Sequence, residues 1–395
     1  MSQTRLMTAE SAAARLGISR ATLYAYVSRG LVHAHPDPAD PRRRLYSAND
    51  ISRLAGSKAR GRKPSDIAAA TLDFGLPALA SGITLIESDR LLYRGQDATR
   101  LAAHATLEET ARLLWQCDDD PFADPAPRLA AGAAEMLTAL AETFPTDRCL
   151  ALLPIAGVGA AMSWQRDPRR LRADAAALLR LMAAATVGAA PSDLPIHRAL
   201  ARAWGLDDRA AAIIRAALVL CADHELNTSA FAVRVVASTG ASLAACLSAG
   251  LSALSGPRHG GTTSLVEILF AEAERFGDAA GLVQERLRRG DILPGFGHPL
   301  YPGEDPRAVA LLRLLPPDET RDALRDAMDR IRGKAPNLDF ALASLRRALR
   351  LKPGSALALF AIGRTVGWIA HALEQQAEDK LIRPRARYVG PVPEA

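Results

Sequence analysis

Six short stretches of this 395-residue chain put polar, charged and glycine residues where an apolar helix would otherwise continue. They are ADHELNTSAF at 222–231, GPRHGG at 256–261, LPGFGHPLYPGEDPRA at 293–308, APNLDF at 335–340, GRTVGWIAH at 363–371 and IRPRARYVG at 382–390. Among them they hold His224, His259, His298, Asp339, Arg307, Arg364 and Arg383. Singly, each has an ordinary explanation. A lone histidine at a helix start is usually structural, an aspartate after Pro-Asn-Leu caps a helix, and an arginine is a surface charge. As a group they point to proton transfer on a small dianion. Guanidinium forks match carboxylates with paired hydrogen bonds. A carboxylate base with histidine acids suits removal of a proton beside a carbonyl. Pro294, Gly295 and Gly297 let backbone approach a ligand near His298. His371, on the same helix face as Arg364, is assigned a structural role. No metal-ligand spacing is present. Neither GxxxxGK[ST] nor a GxGxxG at a strand–helix junction occurs, so a metal or a phosphate-cradled cofactor is not expected.

The elements that must position these residues are mainly helical. Alanine and leucine dominate and arginine far exceeds lysine, all strong helix formers. From Ile67 onward the pattern is one large helical unit. Its one alternating stretch, Ser81–Gly95, predicts a small hairpin turning at Ser88–Asp89. The Ala/Ser/Gly-rich segment Ala245–Leu254 allows close helix packing. Four cysteines without CxxC spacing, no charge-free run of 18 apolar residues and no apolar core in residues 1–15 imply a cytoplasmic protein. Neither disulfides nor a membrane span are expected of it.

The N-terminus is different in kind. Residues 1–66 hold 12 Lys/Arg and 5 Asp/Glu, a net +7, whereas the whole chain is +6, so the remainder is close to −1. Such asymmetry points to an anionic partner for that segment. Thr8 can cap a helix through Arg15 that Gly17 ends. Ser19 can cap a second from Arg20 to Arg29 that Gly30 stops. Leu16, Ile18, Leu23 and Val27 would form the core between them. Val32–Tyr46 reads as a hairpin wing carrying Arg42, Arg43 and Arg44. Asn49 or Asp50 would cap a third helix over Ile51 and Leu54. Residues 55–66 read as a basic linker. In a DNA complex, Arg20, Thr22 and Tyr24 would face the major groove, and Arg42, Arg43 and Arg44 the phosphate backbone.

Residues 1–54 resemble the winged helix–turn–helix of the mercury-resistance-regulator (MerR) and excisionase group, through AAARLGISRATLYAYVSRGL and RRRLYSANDISRL. The six stretches, with YRG at 93–95, resemble in order the signatures of citrate synthases. The spacing agrees as well: 35 residues from His224 to His259, nine from His298 to Arg307 and 25 from Asp339 to Arg364. This resemblance spans roughly 70–390. It implies a two-domain helical fold, with the large domain at 67–261 and 351–395 and the small one at 262–350. It also implies condensation of acetyl-CoA with oxaloacetate to citrate, with propionyl-CoA and 2-methylcitrate as the alternative. A third possibility is a DNA-binding regulator that uses the synthase-like domain to sense a metabolite. In the family's terms Asp339 is the base, and His259 hydrogen-bonds the thioester oxygen. His298 donates to the ketone, and His224 binds oxaloacetate. Arg307, Arg364 and Arg383 hold its carboxylates, Arg383 coming from the other subunit of a homodimer. No tightly bound cofactor is implied, and acyl-CoA enters as a substrate through the loop at Pro294, Gly295 and Gly297. Thr262–Thr263 stand where the family has Ala–Asn, and Pro299 where many members have arginine. These departures are expected near the acyl-CoA, touching no catalytic residue.

Overall fold

The computed structural model describes residues 6–16, 18–28, 31–37, 40–48, 50–51, 79–87, 89–157, 167–386 and 388–391. Gly17, Gly30, Asn49, Leu54, Ser88, the 55–66 linker and the Arg42 side chain lie outside the described residues. The chain divides into two compact units, 1–78 with 386–395, and 79–385. The last ten residues, which the sequence pattern assigns to the large helical domain, thus group with the N-terminal unit.

In the smaller unit, helices Ala9–Leu16 and Arg20–Ser28 are each capped as expected. Thr8 Oγ1 accepts the Ser11 N–H at 3.3 Å and Ser19 Oγ the Thr22 N–H at 3.1 Å. Ala12, Ala13, Leu16, Leu23, Val32, Tyr46 and Ile51 form the core, with Ile18 and Val27 half-buried at its edge. Strands Ala34–Asp37 and Asp40–Ser47 make the wing. A third strand, Leu6–Thr8, pairs with the other edge of Asp40–Ser47. Three residues are too few to show alternation, so no pattern marks this strand in the sequence. At the start of the third helix Ser47 Oγ accepts the Asp50 N–H at 3.3 Å, the place that the sequence pattern assigns to Asn49 or Asp50. The Asp50 carboxylate is instead committed to His33, accepting from its backbone N at 3.0 Å and meeting its ring Nδ1 at 2.8 Å.

Among the described residues, the named elements of the larger unit are helices apart from the hairpin Thr84–Glu87/Arg90–Tyr93 and a two-residue strand, Gln96–Asp97. Its centre is the 24-residue helix Ser355–Glu378. That helix is long and apolar enough to cross a membrane, yet its apolar window is 94% buried within the protein, as in a core helix. Two glycines let it lie directly on helix Asp208–Cys221 and the turn that follows. A Cβ on Gly363 would come within 2.5 Å of Leu218 O, and one on Gly367 within 2.3 Å of Asp223 Oδ1. Gly367 N–H donates to Ala222 O at 2.9 Å across this contact. Gly250, in the small-residue segment, likewise admits Trp368.

Apolar residues of the unit gather in two clusters. The larger surrounds the central helix. The smaller holds Val266, Phe270, Leu293, Leu324, Met328 and Phe340 among others. Helix Leu338–Ala348 serves both, giving Leu338, Ala341, Leu342 and Leu345 to the first and Phe340 and Ala343 to the second. Asp339 therefore rides on the element where the two cores meet. All four cysteines are free thiols.

Candidate active site

Segments 293–308 and 335–339 bring three of the sequence-predicted residues, His298, Arg307 and Asp339, together, and hydrogen bonds lace the two to one another. Gly297 N–H donates to Ala335 O at 2.8 Å and Asn337 N–H to Gly295 O at 2.9 Å. The Asn337 side chain donates to Gly297 O at 3.1 Å, and its Oδ1 caps helix Leu338–Ala348 by accepting from Asp339 N and Phe340 N. Asp305 caps helix Pro306–Leu312 and also accepts the Leu338 N–H at 3.1 Å. The segments carrying His298, Arg307 and Asp339 thus form one block. Gly295 and Gly297 are required in it for backbone reasons, with φ of 89° and 73°. A Cβ on Gly295 would also press to 2.9 Å against Val266.

His224 packs against that block from the end of helix Asp208–Cys221. Its ring meets His298 edge-on at 5.0 Å between centroids, and its Nε2 lies 3.0 Å from the Tyr301 hydroxyl. His298 Nδ1 accepts the Leu300 N–H at 3.1 Å, which leaves Nε2 to carry the proton of the neutral ring. His259 follows helix Leu243–Leu254, and its Nε2 lies 2.8 Å from Ser229 Oγ. That hydroxyl also accepts from Trp368 Nε1 at 3.1 Å and can donate to Asn227 Oδ1 at 2.7 Å. Its single hydrogen sets the His259 tautomer. Sent to Asn227 it requires Nε2–H on the histidine, and sent to His259 it leaves Nδ1–H as the ring's donor.

Burial decides the charges. It drives His224 well below the ordinary histidine range, with Arg307, His298 and Arg364 pushing the same way. Burial and Arg364 lower His259 to about 4, and burial and Arg307 lower His298 to about 4. All three are neutral at pH 7. Burial raises Asp339 to about 6 against the opposing pull of the Thr263 hydroxyl, Arg307 and Arg364.

The arginines are not equivalent. Arg307 is buried, and Asp305 already occupies its Nε–Nη2 edge with bonds of 2.9 and 2.8 Å. Arg364 is 1% exposed. Its Nε donates to Cys221 O at 2.9 Å, its guanidinium lies over the Phe360 ring, and its Nη2 is buried without a hydrogen-bond partner. A buried cation with an unused donor is costly unless an anion arrives. Arg383 differs from both: it is exposed in the irregular tail behind the central helix. Among the described contacts none joins it to the other six. Beneath the site His371 and Asp223, both fully buried, approach to 3.3 Å, off line for a hydrogen bond. Burial would raise Asp223, but His371, Arg364 and the Thr84 hydroxyl outweigh it and hold the carboxyl below its ordinary range.

Sequence reasoning missed Ser229, Tyr301 and Asp305 as partners of the site. It also placed Thr263 away from catalytic residues, and the structure overturns that. Thr263 is fully buried and its Oγ1 donates to Asp339 Oδ1 at 2.6 Å. A threonine in a helix's first turn carries no sign of an aspartate 76 residues later.

Residues 71–385 match the family model described as citrate synthase, C-terminal domain. The chain belongs to the citrate synthase family. Residues 7–59 match the MerR helix–turn–helix family of regulatory proteins, so this citrate synthase family member carries a MerR-type module at its N-terminus. Citrate synthase 2 of Bacillus subtilis is 28% identical over 352 residues, covering 80% of this chain and 95% of that one. A Mycobacterium tuberculosis relative is 43% identical over 199 residues, 47% of this chain. That match spans 53% of the relative, so the chain covers about half its length. The crystal structure of citrate synthase from Thermotoga maritima superposes with a TM-score of 0.69 at 28% identity, covering 81% of this chain and 96% of that one.

The N-terminal candidates gather on a separate surface of their own unit. Arg20, Tyr24, Arg43 and Arg44 line a groove of about 790 Å³ with Thr8, Glu10 and Asp37. Arg20 pairs with Glu10 at 3.4 Å and Arg43 with Asp40 at 3.5 Å; both arginines and Glu10 are largely exposed and Asp40 is half-buried. Thr22 is engaged at the helix cap, its hydroxyl 2.9 Å from that of Ser19.

Proposed function

We propose that the protein condenses acetyl-CoA with oxaloacetate and water to give citrate and CoA. The observation that carries this reading is the company kept by Asp339. A carboxyl raised to about 6 lies within electrostatic reach of buried Arg307 and Arg364, which also act on the neutral His298 and His259, and Arg364 holds an unused donor. The two buried arginines suit the carboxylates of a keto-diacid, Arg364 through Nη2 and Arg307 through the edge that Asp305 leaves open. His224 would hydrogen-bond the same ligand.

In this reading Asp339 takes a proton from the acyl methyl. A thioester methyl is too weak an acid for a carboxylate alone, so the forming enolate oxygen needs a donor. His259 supplies Nδ1–H once Ser229 turns its hydrogen onto Nε2. Such a donor is worth about 3–4 kcal/mol, and a positioned base roughly 10²–10⁴-fold. The methyl carbon bonds to the ketone carbon while His298 Nε2–H protonates the ketone oxygen. Water then cleaves the thioester and CoA leaves as the thiol. Arg383 would act in the site of a second copy, which makes a homodimer the working unit. No tightly bound cofactor is needed.

The test is thiol release with acetyl-, propionyl- and butyryl-CoA, each with and without oxaloacetate. Release that requires oxaloacetate is expected, fastest with acetyl-CoA. Propionyl-CoA as the preferred substrate would make the enzyme a 2-methylcitrate synthase. Oxaloacetate-independent release, or none with any of the three, rejects condensation.

A second activity is favoured by the groove lined by Arg20, Tyr24, Arg43 and Arg44 and by the MerR-family match: the N-terminal unit binds duplex DNA. Mobility shift of duplex DNA by the full chain, weakening steeply with salt, is expected. No shift at low salt removes this reading and leaves the catalytic one intact.

A further inference from the structure

We infer that Thr263 is a positioning residue for the base: its hydroxyl holds Asp339 Oδ1 so that the other carboxylate oxygen faces the acyl methyl. The inference rests on the reading of Asp339 as the base. Hydroxyls inside helices commonly turn back to a carbonyl one turn earlier. Ser248, Ser252, Ser344 and Thr365 all do so here, and Thr262 reaches back to Pro257 O. Thr263 instead spends its hydrogen on a carboxylate of another helix at 2.6 Å, from a fully buried position. A carboxyl torsion is broad and two-fold, so an unheld Asp339 would sample orientations that present either oxygen or neither.

The local chain is built to deliver this contact. A Cβ on Gly260 would come within 2.6 Å of Leu254, and one on Gly261 within 2.4 Å of Ser255 O. Only glycines allow the turn after helix Leu243–Leu254 to fold back so tightly that helix Thr262–Phe276 starts against it. Three residues on, Val266 packs on Gly295, so the same helix also braces the loop that leads to His298.

The hydroxyl also favours the charged form of the base. Arg307 and Arg364 act the same way, Asp305 acts against them, and the Cys221 thiol is held neutral by burial, which raises it to about 12.

The experiment uses the full-length protein with Thr263→Val, Thr263→Ala and Thr263→Ser, and Asp339→Asn as reference. Thr263→Val removes the hydroxyl at nearly constant volume. It is expected to lower kcat for condensation about tenfold and to move the acid limb of the kcat profile up by about one pH unit. KM for oxaloacetate should not change. Thr263→Ala carries the same expectation through a smaller side chain, and Thr263→Ser restores both kcat and the limb. Unchanged kcat and an unmoved limb in Thr263→Val and Thr263→Ala, with Asp339→Asn inactive, overturn the positioning role and leave the base assignment standing. A raised KM for oxaloacetate with the limb in place likewise overturns it, because that is a packing effect. Full turnover by Asp339→Asn removes the base assignment itself.

Discussion

An arginine does different work in the two units of this chain. In the N-terminal groove, Arg20 and Arg43 are 59% and 77% exposed and lean on surface carboxylates at 3.4 and 3.5 Å. Such pairs are worth about 0–1 kcal/mol and are screened by salt, so they can be exchanged for phosphate contacts at little cost. In the helical unit, Arg307 and Arg364 are 3% and 1% exposed. Both are almost wholly withdrawn from bulk solvent, and Arg364 keeps a buried Nη2 donor that a ligand anion would satisfy. The exposed cluster is suited to a partner recognised by charge density. The buried one is suited to a single small anion of fixed shape, because a misplaced donor there stays unpaired.

The contrast can be broken most forcefully at Asp339. Asp339→Ala should lower condensation by about 10²–10⁴-fold while duplex DNA binding is untouched, checked by thiol release and mobility shift on one preparation. Undiminished turnover would dissolve the contrast. Arg364→Met is expected next, leaving the ring contact with Phe360 but no donor. KM for oxaloacetate should rise about 10–100-fold, reflecting removal of a charge-assisted hydrogen bond, with KM for acyl-CoA little changed. Arg43→Ala with Arg44→Ala tests the other side. DNA affinity should fall roughly equally across sequences, and the slope of log K against log salt should flatten by about 2, one for each phosphate no longer neutralised. Turnover should stay at the parent value.

Gly367→Ala asks whether the floor of the site is as tight as the central helix implies. A Cβ there meets Asp223 Oδ1 and Ala222 O, so a loss of about 1–3 kcal/mol is expected in denaturant unfolding. A neutral result would mean that the helix contact is loose. The smallest effect concerns pH. Asp339 sits at about 6 in the folded chain against an ordinary aspartate value of 3.8, so between those values the folded state binds more protons and stability falls as pH rises. Asp339→Asn should therefore raise the melting temperature at pH 7, on the order of 1–2 °C for a chain of this size, and by less at about pH 4.

The same difference between costly and ordinary residues governs what was legible in the sequence. His224, His259, His298, Arg307, Asp339 and Arg364 interrupt apolar helices with groups that are expensive to bury, and an expensive residue in the wrong place is visible in one dimension. Their partners are not. Asp305 looks like a cap two residues before Arg307, and it is one, but it also occupies half of that guanidinium and ties down Leu338. Thr263 looks like an ordinary first-turn threonine, because its acceptor is 76 residues away. In the N-terminal unit, Asp50 has the right residue type for a cap, yet His33 claims its carboxylate and Ser47 Oγ accepts its N–H. Strand Leu6–Thr8 was invisible because its pairing is decided by Asp40–Ser47, not by its own three residues. Local chemistry was readable wherever it conflicted with its surroundings, and unreadable where a common residue made a distant, well-satisfied contact.

The lacing of residues 295–297 to 335–337, with Asp305 pinned to Leu338, has a kinetic meaning. In the proposed reaction the group that takes a proton, Asp339, and the one that gives it, His298, are mounted on a single bracket. Their mutual spacing cannot change without breaking four hydrogen bonds. His224 and His259 come from outside this bracket, on the turns that follow helices Asp208–Cys221 and Leu243–Leu254, so in the proposed reaction oxaloacetate, gripped by separate segments, would act as the latch that times the chemistry.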